Sequence, residues 1–304
     1  MNAPDHFILD DLPTPARLAR ARQLVNAQRL GAMLSDKPAF VLLEVGCGQR
    51  AQFEAAHIPG AAYLDTSELE CAPLFNKIDD HSLLSLLRAY GIDRYACVVQ
   101  YGRNPLAAAR AAHLLLYAGV ADVRLLDGGF AQWLAAAMPC ESGPVRLRMA
   151  AADFGAAVPL SPHFMTSMVD ALRNTGALVS VRTWSEFSGA SSGYSYIEAR
   201  GDIAGARWGR AGREGDVNSM SEYQQPDGRM LPPAAIERMW ADAAIVRSRS
   251  SVFYCGTGWR ASLAFFYAWL MGWEDISVYD GGWFEWSTVP DNPVVIRIRD
   301  SVAA

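Results

Sequence analysis

The same series of short motifs occurs twice along this chain, and this internal repeat constrains the fold more than any other feature of the sequence. In each half an apolar run, an acidic helix-like turn, a turn ending in Gly-Ala, a second apolar run and an Asp-Gly-Gly-aromatic segment follow one another. The first copy extends over residues 40–133 and the second over residues 177–286. Shared landmarks in a fixed order indicate two units with the same fold.

Short apolar runs and helical patterns alternate within each copy. In the second copy Leu263, Phe266, Tyr267 and Leu270 fall on one face of a helix that we expect to begin near Ala261. Four apolar runs lack polar alternation, which is typical of strands that are buried on both faces of a parallel sheet: residues 97–100, 123–126, 252–254 and 276–279. The pattern predicts an α/β fold in which each copy forms a parallel β-sheet flanked by helices.

The length and the position of the least periodic segment predict the domain boundaries. A chain of 304 residues fits two domains of ordinary size. Residues 139–162 contain Pro, Gly and Ala with weak periodicity, so the connection is expected there. We predict a first domain at residues 1–140, a linker at residues 141–162 and a second domain at residues 163–304.

The charge balance and the apolar pattern exclude several classes of partner. With 27 Lys and Arg against 32 Asp and Glu, the net charge of -5 leaves no basic surplus to neutralise the phosphates of a nucleic acid. No basic run suits an anionic membrane, and the apolar stretches are too short or too interrupted to span one. Residues 1–11 lack the basic start and apolar core of a signal peptide, so we expect a cytoplasmic protein.

The segment Cys255-Gly-Thr-Gly-Trp-Arg260 is the strongest candidate for chemistry, because it lies between a predicted buried strand and a predicted helix. Its two glycines let successive backbone N–H groups turn inward, as in anion-binding nests, and the helix adds the positive end of its dipole. Such surroundings favour the thiolate form of a cysteine. The other four cysteines are scattered, so neither a disulfide framework nor a metal site is expected.

Three features together resemble the tandem-domain rhodanese and mercaptopyruvate sulfurtransferase family: the paired Asp-Gly-Gly-aromatic segments, His57-Ile-Pro-Gly-Ala61, and a six-residue loop that opens with Cys255. The resemblance implies two rhodanese-like domains and a sulfurtransferase without a cofactor. Cys255 would take sulfane sulfur from a small donor as a persulfide, and the backbone amides of the loop would hold the sulfur. The acceptor would be thiophilic, namely cyanide, a thiol or a thioredoxin-like protein.

The loop sequence bears on the donor. Cys255-Gly-Thr-Gly is similar to the loops of family members that use 3-mercaptopyruvate, whereas members that use thiosulfate have two basic residues after the cysteine. Trp259 and Arg260 differ from both types, so thiosulfate stays open. Trp259 either lines the pocket mouth or packs on the other domain. The residues predicted to bind the substrate are Gly256, Thr257, Gly258, Trp259, Arg260 and Arg182, the last in Ser180-Val-Arg182, where the family has Asp-x-Arg.

The first copy is expected to be inactive. Tyr101 stands at the position of the cysteine, and a tyrosine cannot carry a persulfide. Pro105 removes one backbone N–H from the corresponding loop. Four further residues have two possible roles. Cys47 is a regulatory thiol or a small loop residue, and His57 joins a proton relay or fixes its turn by a hydrogen bond. Arg200 and Arg207 reach the pocket or lie on the solvated surface. For each residue the second role is favoured.

Two alternatives use the same cysteine. A sulfur-relay or regulatory protein would receive its persulfide from a partner protein instead of a small donor. A phosphatase or arsenate reductase of the related fold has a Cys-x5-Arg loop, which surrounds a tetrahedral oxyanion. Here only four residues separate Cys255 from Arg260, and such a smaller loop suits a single sulfur atom better.

Overall fold

The computed structural model describes residues 20–36, 40–144 and 150–297, so the prediction about residues 1–11 lies outside the described residues. Within these ranges each half of the chain builds one five-stranded parallel sheet with helices around it. The predicted α/β class and the tandem architecture are therefore confirmed. The strands of the two sheets fall inside the two predicted domain ranges.

The first domain contains the following elements in chain order: β1 (Leu24–Val25), α1 (Ala27–Ser35), β2 (Val41–Gly46), α2 (Arg50–Ala55), β3 (Ala62–Asp65), β4 (Glu70–Cys71), β5 (Asn76–Lys77), α3 (Asp80–Ala89), β6 (Cys97–Tyr101), α4 (Pro105–Ala118), β7 (Asp122–Leu126) and α5 (Gly129–Ala135). Strands β4 and β5 form a small antiparallel hairpin outside the main sheet.

The second domain follows with β8 (Met165–Thr166), α6 (Met168–Arg173), β9 (Ala177–Ser180), α7 (Trp184–Ser188), β10 (Asp202–Ile203), β11 (Arg207–Trp208), α8 (Pro233–Asp242), β12 (Ser251–Tyr254), α9 (Trp259–Leu270), β13 (Ile276–Tyr279), α10 (Gly282–Ser287) and β14 (Val294–Val295). Strands β10 and β14 pair antiparallel, apart from the main sheet. Among the described residues, no helix has the length and apolar character needed to cross a membrane.

The two main sheets have the same strand order. It is β1-β7-β6-β2-β3 in the first domain and β8-β13-β12-β9-β11 in the second, when both are read from the same edge. The central strands β6 and β12 are bordered on both sides, and they lead into the loops at Tyr101 and Cys255. Carboxyl ends of parallel strands are where α/β proteins place their ligand sites. The repeat therefore gives each domain one such loop.

Helices α4 and α9, which follow these two loops, pack against each other between the domains. The predicted one-sided apolar face of α9 is wrong in this respect, because 11 of its residues, from Arg260 to Leu270, are buried. The helix also begins two residues earlier than expected, at Trp259. A helix with apolar residues all round is one that neighbours cover on every side. One continuous apolar core consequently joins the two domains.

A buried arginine in this interface links the first domain to the loop of the second. Arg110, on α4, is fully buried. Its Nε donates to Glu70 Oε1 at 2.8 Å, and its Nη2 lies 2.6 Å from Asp280 Oδ1. Glu70 belongs to the first domain and Asp280 to the second. One buried guanidinium thus contacts a carboxylate from each domain, and this shared cation ties the domains together.

We predict that Arg110→Met destabilises the protein by about 3–5 kcal/mol, because it leaves the carboxylates of Glu70 and Asp280 buried without their cation. Urea-induced unfolding followed by circular dichroism measures the loss. The control is Arg229→Met, whose partner Asp227 lies on the surface, and this change should cost no more than about 1 kcal/mol. Equal, small losses in both variants would show that the buried pair does not hold the domains.

Candidate active site

Cys255 directly follows strand β12, and the turn after it brings its sulfur to the beginning of α9. Its side chain is buried, and its Sγ accepts a hydrogen bond from the Gly258 N–H at 3.2 Å. Gly258 has a φ of +102°, a conformation that favours glycine, and it precedes the first helical residue, Trp259. The sulfur therefore lies at the positive N-terminal end of a 12-residue helix.

The Asp-Gly-Gly-Trp segment turns the carbonyl groups of the loop away from the sulfur. The N–H of Trp283 donates to the Cys255 carbonyl at 2.7 Å, and the N–H of Phe284 donates to the Gly256 carbonyl at 3.0 Å. A Cβ on Gly282 would lie 2.6 Å from the Cys255 carbonyl oxygen, and φ there is +56°. Only glycine permits this approach. Since the carbonyls bind α10, the N–H groups are left to face the other side of the loop.

Arg260 forms a buried bidentate ion pair with Glu186 on α7. Its Nη1 and Nη2 donate to the two carboxylate oxygens, each at 2.8 Å, and both side chains are 1% exposed. Burial opposes ionisation of Glu186, but Arg260 and Arg182 outweigh it and lower the pKa of this carboxyl to about 2. The Arg260 guanidinium also donates to the Tyr194 hydroxyl at 2.7 Å.

Arg182 lies beside this pair and is paired itself. Its Nη1 donates to Asp202 Oδ2 at 2.9 Å and to the Gly201 carbonyl at 2.7 Å. The Ser180 hydroxyl donates to the same Asp202 oxygen at 2.8 Å, and the Tyr254 hydroxyl donates to the other oxygen. Ser180 occupies the place of the Asp in the Asp-x-Arg pattern, and Asp202 provides the carboxylate in its stead. Burial raises the pKa of Asp202.

Trp259 reaches across to the first domain. Its indole Nε1 donates to both carboxylate oxygens of Glu70 at 3.0 Å, and its side chain is half-buried against the shared core. Glu70 thus receives hydrogen bonds from Arg110 and from Trp259, although burial raises the pKa of its carboxyl. Thr257 is buried and faces the hydroxyl of Tyr196. The structure therefore brings all seven residues of the predicted site to the loop or to the residues that brace it.

The four residues with alternative roles lie elsewhere or have structural contacts. Arg207 donates to the carbonyls at the end of α8, and Arg200 is exposed. His57 is buried, stacks on Phe53 and contacts the Phe53 carbonyl through Nδ1 at 2.8 Å, which fixes its turn. Cys47 is an exposed free thiol in the first domain. Within the part of the chain that the structure describes, no cluster of side chains suits a metal ion.

Three residues that build the site were missed in the sequence: Glu186, Tyr194 and Glu70. Glu186 had a recognisable signal, because Thr183-Trp-Ser-Glu186 is a capping box, and both of its reciprocal hydrogen bonds are present. That signal predicts a helix start and not a partner for Arg260. Tyr194 lies in an irregular segment and Glu70 in the two-residue strand β4, both far from Cys255 in the chain, and sequence patterns carry no information about their distance in space.

The first-domain loop keeps one backbone contact of the second-domain loop but differs from it where the helix begins. The N–H of Phe130 donates to the Gly102 carbonyl at 3.1 Å, as the N–H of Phe284 does to the Gly256 carbonyl. Asn104, which precedes α4, has a φ of -99°, whereas Gly258, which precedes α9, has a φ of +102°. The buried Tyr101 side chain fills the space at the cysteine position, and its hydroxyl accepts from the Ile58 N–H at 3.0 Å. This copy therefore has neither a cysteine at this position nor the left-handed residue that precedes the helix in the second domain.

Comparisons with known proteins agree with this geometry. The model of the rhodanese-like domain matches residues 26–136 and again residues 165–288. The chain is similar to thiosulfate sulfurtransferase YnjE of Escherichia coli, with 46% identity over 96% of this chain and 70% of that protein. It is also similar to the probable 3-mercaptopyruvate sulfurtransferase of Pseudomonas aeruginosa, with 32% identity over 90% of this chain and 97% of that protein.

Solved structures show the same likeness. The crystal structure of YnjE superposes with a TM-score of 0.88 at 44% identity, covering 91% of this chain and 69% of that one. A structure of EanB in complex with ergothioneine gives a TM-score of 0.87 at 34% identity, covering 91% and 70%. The matched domains, the relatives and the loop geometry lead to one conclusion: the chain belongs to the rhodanese family, as a tandem-domain sulfurtransferase.

Proposed function

We propose that Cys255 carries sulfane sulfur as a persulfide between a small donor and a thiophilic acceptor. The observation that supports this best is the position of its sulfur, 3.2 Å from the Gly258 N–H at the N-terminal end of α9. Backbone N–H groups and a helix N-terminus stabilise negative charge, which both a thiolate and a persulfide carry. The backbone of Gly256 to Arg260 provides this environment.

The proposed reaction has two displacement steps on sulfur. The Cys255 thiolate first attacks the outer sulfur of thiosulfate or the thiol sulfur of 3-mercaptopyruvate. With thiosulfate the S–S bond breaks and sulfite leaves; with 3-mercaptopyruvate the C–S bond breaks, and the thiol proton ends on the methyl group of pyruvate. In the second step cyanide or a thiolate attacks the outer sulfur of the persulfide. The S–S bond breaks, thiocyanate or a new persulfide leaves, and the Cys255 thiolate returns.

The paired arginines favour the donor with less charge. Arg260 is engaged by Glu186, and Arg182 by Asp202, so in this arrangement neither guanidinium is free for a donor anion. We infer that both are positioning residues that hold the loop. Thiosulfate carries two negative charges and 3-mercaptopyruvate carries one. The loop amides therefore compensate the charge of 3-mercaptopyruvate more completely. We therefore propose 3-mercaptopyruvate as the preferred donor.

The same contacts weigh against the alternative functions. A phosphatase loop needs its arginine to bind the phosphate oxygens. In this protein the two terminal nitrogens of Arg260, Nη1 and Nη2, already donate to the Glu186 carboxylate. A relay protein has to bring a partner's persulfide to Cys255, and the Cys255 side chain is 1% exposed. A small donor reaches such a sulfur more readily than a protein does. The acceptor classes and the cytoplasmic location stay predictions.

We predict that Cys255→Ser reduces sulfur transfer to background, because a hydroxyl cannot form the persulfide. Tyr101→Phe, in the first-domain loop, should leave the rate nearly intact. The matched control Cys47→Ser removes an exposed thiol and should also have little effect. Sulfur transfer to cyanide is measured as thiocyanate, and peptide mass spectrometry locates the added sulfur. Equal losses in the variants at 101 and 255 would contradict a single active domain.

We predict that kcat/KM with 3-mercaptopyruvate exceeds that with thiosulfate by roughly tenfold or more, which corresponds to about 1.4 kcal/mol for the uncompensated charge. Both donors are assayed side by side with cyanide as acceptor, at two ionic strengths. Equal values, or a preference for thiosulfate, would mean that the loop amides alone compensate a doubly charged donor.

An aromatic group beside the loop favours a second candidate for the acceptor. The ring of Tyr196 lies 5.5 Å from that of Phe75 and 5.7 Å from that of Phe284, and the Glu70 carboxylate is nearby. Aromatic rings and a carboxylate bind quaternary ammonium groups. Structures of EanB, at 34% identity, contain hercynine or ergothioneine, which are trimethylammonium betaines. We propose that a betaine of this class accepts the sulfur.

This acceptor is tested with protein that has been loaded with sulfur and freed of donor. Hercynine should receive the outer sulfur on its imidazole carbon and give ergothioneine, while the carbon-bound hydrogen moves to nitrogen and the Cys255 thiolate returns. Histidine, which lacks the methyl groups, should react at least roughly fivefold more slowly if cation–π contacts contribute more than about 1 kcal/mol. If cyanide removes the sulfur and hercynine does not, this candidate is wrong.

A further inference from the structure

A segment between α7 and β10 lies over the sulfur site, and we name residues 189–201 the cover segment. Tyr194, at its centre, places its hydroxyl where it accepts from the Gly256 N–H at 3.2 Å and from Arg260 Nη2 at 2.7 Å. A Cβ on Gly256 would lie 2.3 Å from Cζ of the Tyr194 ring, so the absence of a side chain at residue 256 makes room for this tyrosine. With the cover in place, Cys255 is 1% exposed.

The cover segment is fastened to the ion pairs that brace the loop. Arg182 donates to the Gly201 carbonyl at 2.7 Å and to the Ser192 carbonyl at 3.4 Å. The Ser192 hydroxyl donates to the Tyr194 carbonyl at 3.1 Å. Both arginines that the sequence predicted to bind the substrate therefore hold the cover segment. Arg182 binds two backbone carbonyls of the segment, and Arg260 binds the Tyr194 hydroxyl.

Glycines stand at the two ends of the cover segment. Gly189 has a φ of +87° and Gly201 a φ of +106°. The two meet closely, since a Cβ on Gly189 would lie 3.2 Å from the Gly201 Cα. Closely spaced ends allow a loop to move as a unit while few residues change conformation. Within the segment the Ser191 N–H donates to the Ser185 carbonyl of α7 at 3.0 Å, and the Ala199 carbonyl accepts from the Trp283 indole at 3.1 Å. The part that can leave the loop without breaking these contacts is the part around Tyr194.

The Gly256 amide has two possible ligands. It is the first N–H of the loop after Cys255, and a persulfide places its outer sulfur among these amides. In the structure the Tyr194 oxygen occupies this amide. The Gly256 amide has one N–H group. The Tyr194 oxygen and a negatively charged outer sulfur therefore compete for it.

We propose that Tyr194 is a positioning residue that holds the Gly256 amide while Cys255 carries no sulfur, and that the outer sulfur of the persulfide displaces it. Loading then releases the part of the cover segment around Tyr194 from the loop and opens the path by which the acceptor enters. This inference rests on the proposed persulfide, and it adds a coupling between the sulfur and access to it. A negatively charged acceptor of a hydrogen bond is favoured over a neutral phenol, which gives the displacement its direction.

Tyr194→Phe tests the proposal, because it removes the hydroxyl and keeps the ring. Alkylation of Cys255 by iodoacetamide, followed on its own peptide by mass spectrometry, should be roughly tenfold faster than in the wild type, since hydrogen bonds to charged groups contribute about 1.5–3 kcal/mol. The control Tyr95→Phe changes a tyrosine that is 72% exposed and remote from the loop, and it should leave the rate unchanged. An unchanged rate in Tyr194→Phe would overturn the proposal.

A second measurement uses the wild type alone and does not depend on how the variant folds. Hydrogen exchange of peptides from the cover segment is compared before and after Cys255 is loaded, and loading should increase it. In Tyr194→Phe the exchange should be fast in both states. If mass spectrometry shows the sulfur on Cys255 and exchange does not change, the coupling is wrong. If no sulfur appears on Cys255, the proposed function is wrong instead.

Discussion

The buried ion pair between Arg260 and Glu186 is the interaction on which the active site depends. It joins the first turn of α9 to α7, and removing one partner of such a pair typically costs about 3–5 kcal/mol. The pKa of Glu186 is lowered to about 2 from its ordinary 4.5, so the folded state binds fewer protons than the unfolded state. The stability from this carboxylate is thus fully present above pH 4.5 and is lost as the pH falls towards 2.

A second constraint determines which side of the loop meets the sulfur. Every carbonyl of a tight turn needs a donor, and α10 provides two for the loop at Cys255. The first domain keeps one such contact, from the Phe130 N–H to the Gly102 carbonyl, and Tyr101 stands in place of the cysteine. That domain still serves the site through Glu70, which binds the indole of Trp259. The first copy, which has a tyrosine in place of the cysteine, therefore forms one wall of the candidate active site.

The repeat made the architecture predictable. Runs of mainly apolar residues correctly indicated strands β6, β7, β12 and β13, because central strands of a parallel sheet are largely buried on both faces. Strand β7 departs from this pattern, since Asp122 and Arg124 are only half-buried. The position of Cys255 between strand and helix was predictable for the same reason. The surroundings of α9 were not, since apolar residues on one face do not reveal that α4 covers the others.

The partners of the charged residues could not be predicted. Arg182 and Arg260 were expected to face the substrate, whereas their guanidinium groups lie on Asp202 and Glu186. Pairings of this kind depend on distances between segments, and sequence spacing contains no such information. Tyr194 was overlooked for the same reason, because it lies in an irregular segment without a periodic pattern.

We propose above that a sulfur atom on Cys255 is held by the backbone amides at the beginning of α9. A crystal structure of the protein loaded with sulfur is the most direct test. We expect one extra sulfur atom bonded to Cys255 Sγ, within hydrogen-bonding distance of N–H groups between Gly256 and Arg260, with the Tyr194 hydroxyl displaced from Gly256. An extra sulfur on another cysteine, or one that points away from these amides, would contradict it.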